Sequence, residues 1–259
     1  MRRYGRLWMS CLRQALRRDL QFRSQTIINA IASAAELVLG LVPVLVLTGM
    51  STTATGWNSP LTLVVVGLYG ACTGLMDCFV APNLRRIDTY VRQGELDLIL
   101  IRPVNAQLFA LLRWMEPAEF GRVVTGLALA AAGAHAAHLS IDPALLAKAA
   151  IWIATGFVGY SLLWANLAYL AFWTESAAPI NDVAQQAREA GKYPQTYFPK
   201  SVQLVLATIV PAGLIAAVPV GVLTGTAAAL STAALLLTVG VLLTLLHWQV
   251  ASRRYSSAS

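Results

Sequence analysis

The sequence predicts an all-α membrane protein with six transmembrane helices, an N-terminal amphipathic interfacial helix and short cytoplasmic helices. Hydrophobic residues make up 57% of the 259-residue chain and charged residues only 12%, and the mean hydropathy is +0.63. Soluble domains carry roughly 25% charged residues, so this composition indicates a chain that resides in a membrane.

Six apolar windows supply the predicted transmembrane helices. Each is about twenty residues long, which is enough to cross a hydrocarbon core of about 30 Å. The windows cover residues 27–49, 60–80, 119–138, 145–172, 202–222 and 228–250. We therefore divide the chain into an interfacial helix at residues 1–24 and a six-span domain at residues 25–259.

The start of the third window is unusually polar. It is crowded by Arg113, Glu116, Pro117, Glu119 and Arg122. We therefore predict that residues 106–117 form a separate short segment at the cytoplasmic surface, inside a cytoplasmic loop that covers residues 81–118. A second cytoplasmic loop is predicted at residues 174–200.

The first two dozen residues project as an amphipathic helix. At about 100° per residue, one face is apolar and the other basic. The apolar face carries Tyr4, Leu7, Trp8, Cys11, Leu12 and Ala15, and the basic face carries Arg2, Arg6, Arg13 and Arg17. Such a helix is predicted to lie flat in the cytoplasmic interface and to reach the first span through an elbow near Ser24–Thr26. A positively charged topology anchor is the simpler interpretation, and the two are compatible.

The distribution of Lys and Arg predicts the orientation. Of the 19 basic residues, 17 lie before the first window, in the two loops predicted to be cytoplasmic, or at the C-terminus. Lys148 alone falls clearly on the other side, and Arg122 lies within the start of the third window. The positive-inside rule therefore puts both termini in the cytoplasm, with the chain in the inner membrane. The net charge of +7 follows from this bias and from attraction to anionic lipids, so it does not indicate nucleic-acid binding.

The first span is predicted to stay in place as an anchor, because its apolar run begins late and is too long for a cleavable signal peptide. Cys11, Cys72 and Cys78 fall in cytoplasmic or intramembrane positions, so they are interpreted as small apolar fillers rather than as a disulfide framework.

Few ionisable residues lie inside the windows, and each must be stabilised against the cost of charge in lipid. Glu36, near the middle of the first span, is a candidate for a cavity or dimer-interface position, with a protonated or paired packing role equally open. For Asp77, Glu175 and His247 the packing role is favoured, and Asn166 is a further polar position. Glycines spaced for close helix approach are predicted to be packing surfaces, namely Gly67, Gly70, Gly74, Gly156 and Gly159.

Motifs for catalysis are missing from the sequence. It contains no phosphate-binding loop of the form G-x-x-x-x-G-K-[ST], no H-E-x-x-H, no C-x-x-C and no G-x-S-x-G. His135, His138 and Asp142 could in principle bind a metal, but an ordinary interfacial loop is the stronger interpretation, and no metal or cofactor is predicted for this chain.

The passage "PNLRRIDTYVRQGELDLILIRPVN", residues 82–105, is the most polar stretch between two apolar windows. Residues 83–93 are predicted to form a short helix that Pro82 and Asn83 begin in N-terminal cap positions. An Asp88–Arg92 pair at i, i+4 supports the helix, and Gly94 can adopt the positive φ that ends it.

Several stretches together resemble the permease subunits of bacterial type-2 ABC exporters, in the small six-span branch encoded beside a separate ATPase. They are "VGLYG" at residues 66–70, "VRQGELDLILIRPVNAQLF" at residues 91–109 and "YPQTYFPKSVQLVLATIVPAGLIAAVPVGVL" at residues 193–223. The Gly-Glu-Leu-Asp run, Arg102-Pro103, Tyr193-Pro194, Pro211 and Pro219 carry the likeness, which extends over nearly the whole chain.

This resemblance implies a non-catalytic permease subunit that forms a translocation path as a homo- or heterodimer. ATP and Mg would then be used by cytoplasmic ABC ATPase subunits. The charged passage would contain the coupling helices that dock on the ATPase, through Arg85, Arg86, Asp88, Arg92, Glu95 and Asp97, with the region Arg188–Lys192 as a weaker candidate. An ordinary solvated loop that sets topology is the alternative.

Proline within a spanning helix removes a backbone hydrogen bond, so Pro211 and Pro219 are expected to kink the fifth span. Two other functions remain open from the sequence. A secondary transporter would need ion-coupling residues, which are sparse, and six spans without a convincing internal repeat do not favour one. A membrane-embedded enzyme would need a catalytic constellation, which the sequence lacks.

Overall fold

The chain is helical throughout the parts described by the structure, a computed structural model that covers residues 2–50, 58–139, 142–174, 177–193, 198–208, 210–225 and 229–255. Within these ranges 87% of the structure is helical and no strand occurs. Glu175 and Pro194 lie outside the described residues, as do residues 51–57 between the first two predicted spans. The predicted all-α class is confirmed.

Twelve α-helices lie within those ranges. They are α1 (Arg2–Gln21), α2 (Arg23–Met50), α3 (Ser59–Phe79), α4 (Ala81–Arg92), α5 (Glu95–Leu100), α6 (Ala106–Leu112), α7 (Phe120–Ala136), α8 (Pro143–Ala168), α9 (Ala178–Glu189), α10 (Lys200–Thr208), α11 (Ala217–Leu223) and α12 (Leu230–Arg254). Short 3-10 turns lie at Pro117–Glu119, Tyr169–Phe172, Ala190–Lys192 and Pro211–Ile215.

Four helical stretches in the described ranges are long and apolar enough to cross a membrane. They are Arg23–Leu47, Ser59–Arg92, Pro143–Phe172 and Leu230–Arg254. The third predicted span corresponds to α7, which has 17 residues, and the fifth is divided into shorter pieces. The total of six spans therefore stays a prediction.

The fifth predicted span is broken near its middle. Pro211 is the first residue of a 3-10 turn that separates α10 from α11, and Ala216 has φ −143° between that turn and α11. Pro219 lies in the first turn of α11, where a missing backbone N–H removes no intrahelical hydrogen bond. The interruption thus lies at Pro211 and not at Pro219.

One residue separates the N-terminal helix from α2. Phe22 is the turn residue between them, so the elbow lies slightly before the predicted Ser24–Thr26. The Thr26 hydroxyl lies within hydrogen-bond distance of the carbonyls of Asp19, at 3.0 Å, and Phe22, at 3.1 Å. Trp8, Leu16 and Leu20 on α1 are exposed, but Ala15 on the predicted apolar face is buried and Cys11 is partly buried, so the chain covers part of that face.

Helices α3 and α7 pack closely through glycine. A Cβ on Gly67 would collide with the backbone of Gly126 and Ala130, and one on Gly126 would collide with the backbone of Ala71. These small residues let the two helix backbones approach, as predicted for Gly67. Gly156 has the same role, because a Cβ there would meet Leu214. The packing role predicted for Gly159 is wrong, since its Cβ would have nothing within 4 Å.

Helices α8 and α12 are joined by a polar network. Asn166 on α8 contacts His247 Nδ1 at 2.9 Å and donates to the hydroxyl of Thr244 at 2.7 Å. Gln107 on α6 donates to the hydroxyl of Tyr169 and to the carbonyl of Thr244. The packing role predicted for His247 therefore has a partner, and α6 is tied into the bundle.

Helix α9 lies alongside α8 instead of beyond its end. The Trp164 indole donates to Asn181 Oδ1 at 2.9 Å, and the Tyr160 hydroxyl donates to the carbonyl of Ala184. Tyr160 lies twelve residues, about 18 Å along a helix, from the end of the long stretch at Phe172. Much of the predicted second cytoplasmic loop is thus packed against the spans.

Candidate functional site

The charged passage follows α3 directly along the chain. Val80 joins α3 to α4 with helical dihedrals of φ −105° and ψ −57°, so a helical stretch runs from Ser59 to Arg92. Its 34 residues would extend about 51 Å if straight, which exceeds the hydrocarbon core by about 20 Å.

Asn83 does not occupy the N-terminal cap position that was predicted for it. The helix α4 begins at Ala81, after Val80, and Asn83 is fully buried within its first turn. Its side-chain amide donates to the carbonyls of Phe79 and Trp114 and accepts from the Trp114 N–H at 2.7 Å. Asn83 therefore clamps α4 to the segment that leads to α7, which is a long-range contact and no cap.

Asp88 connects the passage to the start of α9. Its carboxylate pairs with Arg92 at 2.6 Å, as predicted, and also accepts from the Ala177 N–H at 2.9 Å. Asp88 is 4% exposed, so it can orient a docking surface but cannot itself contact a soluble partner. Gly94 adopts φ 72°, a left-handed conformation that glycine reaches without strain, and separates α4 from α5 as predicted.

The other predicted docking residues lie on the outer surface of α4 and α5. Arg85, Arg86, Arg92 and Glu95 are exposed, and Asp97 is half-buried. The Arg86 guanidinium lies 3.9 Å from the centre of the Trp114 ring, and Arg85 donates to Gln185 Oε1 at 2.6 Å. Burial and the nearby Asp97 carboxylate raise the pKa of the Tyr255 phenol, so α5 also neighbours the end of α12.

A second charged group lies inside the bundle, where α2, α3, α7 and α9 meet. The Arg188 guanidinium donates to both oxygens of Asp77, at 2.9 and 3.0 Å. Arg122 lies between Asp77, at 3.7 Å, and Glu36, whose carboxylate accepts a direct hydrogen bond from it. Arg122 and Arg188 are 8% and 5% exposed, so both cations of this ionic chain are buried. We call these four residues the ionic ladder.

A related group of three residues lies beside the ladder. The Tyr69 hydroxyl on α3 donates to Glu189 Oε1 at 2.7 Å, and Lys192 donates to the other oxygen at 2.8 Å. Glu189 follows Arg188 at the end of α9, so α9 and the turn after it bring three charged side chains into the bundle. Tyr69 lies ten residues, about 15 Å, from the end of α3.

The ladder borders two cavities. One, of about 330 Å³, is lined by Asp77, Arg85 and Gln185 together with Arg188. The other, of about 340 Å³, reaches Gly40, Val66 and Lys192. Glu36 and Arg122 line both, so they divide the two spaces, and the Glu36 side chain is 70% exposed in the single chain.

The structure corrects the weaker docking candidate at Arg188–Lys192. Arg188 is 4% exposed, because it is drawn inward to Asp77, so in this arrangement it cannot contact a soluble partner. Sequence reasoning left Arg122 unassigned and did not connect it with Glu36 or Asp77. The sequence does indicate such a contact, because one cation and two carboxylates lie in apolar windows, where pairing would stabilise each of them.

The outer histidine loop does not form a metal site in the described residues. No group of three or more His, Cys, Asp or Glu residues there could hold an ion. Asp142 instead accepts from the Ala144 N–H at 3.0 Å and caps α8. Cys72 and Cys78 are buried, Cys11 is partly buried, and all three are free.

Comparison with known proteins gives a family. The model for a family described as "ABC-2 family transporter protein" matches residues 34–259. No curated protein matches the chain. No solved structure matches it either. The matched range includes α4, α5 and all four residues of the ionic ladder.

Proposed function

Since the chain belongs to the ABC-2 transporter family and is a permease subunit, we propose that it forms, as a dimer, the translocation path of an ATP-driven exporter. The dimer partner is a second copy of this chain or a related permease. The chain lies in the inner membrane with both termini in the cytoplasm, as the distribution of Lys and Arg indicates. Export, dimer formation and dependence on ATP are part of this proposal and do not follow from family membership alone.

ATP hydrolysis is assigned to a separate protein. The sequence contains no phosphate-binding loop, so ATP and Mg are used by cytoplasmic ABC ATPase subunits that bind the permease. This chain itself is non-catalytic and binds no cofactor. Its contribution is to convert movement of the ATPase into movement of the spans.

The observation that carries this proposal is the direct connection between the charged α4–α5 unit and α3, through the single residue Val80. An ATPase that moves α4 would displace a helix that already crosses the membrane, because only Val80 separates α4 from α3. A flexible loop at this place would absorb the movement. The exposed side chains of Arg85, Arg86, Arg92 and Glu95 supply the polar contacts of a docking surface, and Asp88 and Asp97 orient it.

Internal contacts support the rigidity of this unit. Asn83 makes three hydrogen bonds to backbone atoms, and the Trp114 indole donates to the Tyr90 hydroxyl at 2.6 Å. Asp88 fixes the start of α9 through Ala177. An element that transmits force needs such cross-links, whereas a solvated loop that only sets topology does not.

Glu36 is assigned to the wall of the path or to the dimer interface. A carboxylate near the middle of a span is costly in lipid, and Arg122 stabilises it from one side only. Its exposed remainder therefore faces water in a cavity or polar groups of the second permease.

The source of energy tests the function. The permease is reconstituted into proteoliposomes with the ATPase encoded beside it, and uptake of a panel of candidate substrates is followed with and without ATP. We expect transport to need ATP and to stop when the lysine of the ATPase's phosphate-binding loop is replaced. Transport that proceeds without the ATPase, driven by a proton or sodium gradient, would instead establish a secondary transporter.

A further inference from the structure

A long apolar groove runs between α8 and α12. Its volume is about 860 Å³, within the range of about 300–1,000 Å³ that sites for small molecules occupy. On α12 its lining runs from Leu235 to Val250, fifteen residues or about 22 Å of helix. Pro211 and Leu214, in the turn that interrupts the fifth predicted span, also line it. The groove therefore extends over most of a hydrocarbon core of about 30 Å.

The groove is open to the side, where the bilayer lies. Helices α8 and α12 belong to two of the stretches that can cross a membrane. On the α12 wall, Leu235, Leu243 and Leu246 are each more than half exposed in the single chain. A Cβ on Gly159, on the α8 wall, would meet no atom within 4 Å, so the chain leaves this space unfilled. Such a space accepts hydrocarbon, because lipid tails are as apolar as leucine.

The polar side chains that can reach a ligand lie at one end of the groove. Thr155, at the other end, is 1% exposed and donates its hydroxyl to a backbone carbonyl of α8 at 2.8 Å. Asn166, Trp173 and His247 line the opposite end, and His247 lies seven residues, about 10 Å, before the basic end of α12 at Arg254. A matching ligand is therefore apolar along most of its length and polar at the end nearest the basic last turn of α12.

The hydrogen bonds of Asn166 fix a proton on Nδ1 of His247. The Asn166 amide nitrogen donates to the Leu162 carbonyl and to the Thr244 hydroxyl, whose own hydrogen is donated to the Gly240 carbonyl. The Asn166 amide oxygen therefore faces His247 Nδ1 at 2.9 Å, and this oxygen can only accept. In the neutral imidazole, which lipid favours over a charged one, Nε2 then carries a free lone pair.

This Nε2 atom is available to a ligand. It has no hydrogen-bond partner among the described residues, and unlike the Nε atoms of Arg122 and Arg188 it is not sealed from solvent. The centre of the Trp173 ring lies 5.3 Å from that of the His247 ring, and its indole N–H also makes no hydrogen bond to a described residue. An acceptor and a donor are thus neighbours at this end of the groove. A hydroxyl group can donate to the first and accept from the second.

We propose that the groove binds a long-chain membrane amphiphile, with its hydrocarbon chain along α8 and α12 and its hydroxyl group on His247 and Trp173. The ligand comes from the bilayer, because the groove opens to the side between two membrane-crossing helices. A chain without the hydroxyl fills the groove but leaves both polar groups without a partner, which lowers its affinity. This inference goes beyond the proposed export function, and its test needs neither transport nor an ATPase.

Photoreactive probes test the site in the whole chain. The permease is reconstituted into phosphatidylcholine vesicles, because the phosphatidylcholine headgroup has no hydrogen-bond donor of its own. The vesicles contain hexadecan-1-ol, its methyl ether or hexadecane, each with a diazirine at the same mid-chain carbon. After irradiation, mass spectrometry of the digested protein locates the attached probe.

The alcohol should label the groove residues of α8 and α12 at least about threefold more than the ether or the alkane does, the factor expected from one net hydrogen bond. Exposed apolar residues outside the groove, such as Val42 on α2, are the internal control and should be labelled equally by all three probes. Equal labelling of the groove by the three probes in the wild type would overturn the hydroxyl-binding site.

Two substitutions test the location. Gly159→Leu places a side chain in the open space and should lower labelling of the groove by the alcohol several-fold, whereas the matched control Gly159→Ala should change it little. His247→Phe keeps an aromatic ring and removes the acceptor, so the preference for the alcohol over the ether should disappear. If His247→Phe does not insert, the alcohol and the ether compared in the wild type still test the hydrogen bond. Groove labelling that is unchanged in Gly159→Leu would overturn the site.

A second copy of the chain is the competing occupant of the groove. Leu243→Cys, in a chain whose three native cysteines are replaced, places a thiol on the exposed wall. If the amphiphile occupies the groove, mild oxidation should give little disulfide-linked dimer. Rapid formation of that dimer would show that a second copy covers the groove, and it would overturn the proposal.

Discussion

Asp77 on α3 and Arg188 on α9 form a two-point ion pair inside the bundle, with both carboxylate oxygens within 3.0 Å of guanidinium nitrogens. The residues are 111 positions apart in the sequence. Their contact fixes α9 against the spans and places Glu189 and Lys192 beside Tyr69. The positions of Glu189 and Lys192 in the protein therefore depend on this ion pair.

Asp77→Asn should destabilise the folded protein. It leaves the Arg188 charge buried without its partner, which typically costs about 3–5 kcal/mol. The free energy of unfolding in mixed detergent micelles measures the effect. Asp182→Asn, at an exposed position on α9, is the matched control and should change stability by less than about 0.5 kcal/mol. Adding Arg188→Gln to Asp77→Asn should recover part of the loss, and a further loss of similar size would contradict the pairing.

The glycine contacts give a second prediction, which compares the same substitution at two helix positions. Gly67→Ala should cost about 1–3 kcal/mol, because its Cβ would press on the backbone of α7, which cannot move aside. Gly159→Ala should be neutral or stabilise by up to about 1 kcal/mol, because the site is open and alanine favours a helix. Unfolding in the same micelles checks both, and equal effects at the two sites would contradict the assigned α3–α7 packing.

Asn83→Ala tests the clamp between α4 and the segment before α7. It removes three hydrogen bonds and leaves backbone groups of Trp114 without this partner, at a cost of about 1–3 kcal/mol. The variant should be cleaved faster by protease in this loop and should unfold at a lower temperature. Gln93→Ala, at an exposed position on the same loop, is the control. A variant as resistant to protease as the wild type would show that Asn83 does not hold this unit.

Glu36→Gln should insert and fold normally but change transport. The amide keeps the shape of the side chain and loses the charge that Arg122 faces, so Arg122 is left with Asp77 alone. Expression level and gel-filtration profile check the folding, and ATP-driven uptake checks the function. Unaltered transport in a well-folded variant would remove Glu36 from the path and leave it a structural partner of Arg122.

Local features of the candidate site could be predicted from sequence, and long-range ones could not. The positive φ of Gly94 and the Asp88–Arg92 pair follow from residue type and helical spacing, so both were accessible. The partner of Asn83 is 31 positions away and that of Arg122 is 86 positions away, and no pattern of spacing encodes such contacts. The packing of α9 against α8 was missed for the same reason, because its charges resemble those of a cytoplasmic loop.

The break at Pro211 is a second feature that the sequence predicted only in part. Proline indicated a disturbance in the fifth window, but not that the helix would divide there into two short pieces joined by a 3-10 turn. The outcome depends on the close approach of this turn to Gly156 on α8, which is tertiary packing. Composition and hydropathy therefore predicted the class of fold more completely than the packing of the helices inside it.

Association with the ATPase tests the central claim most directly. Tagged wild-type permease and a Glu95→Lys/Asp97→Lys variant are purified from cells that express the neighbouring ATPase, with Asp182→Lys as a charge-reversal control and Glu95→Lys alone as a milder variant. We expect the wild type and the control to bring down the ATPase in equal amounts. The double variant should insert normally but bring down at least several-fold less, or hydrolyse ATP without transport. Full association and full transport in the double variant would contradict docking through α4 and α5.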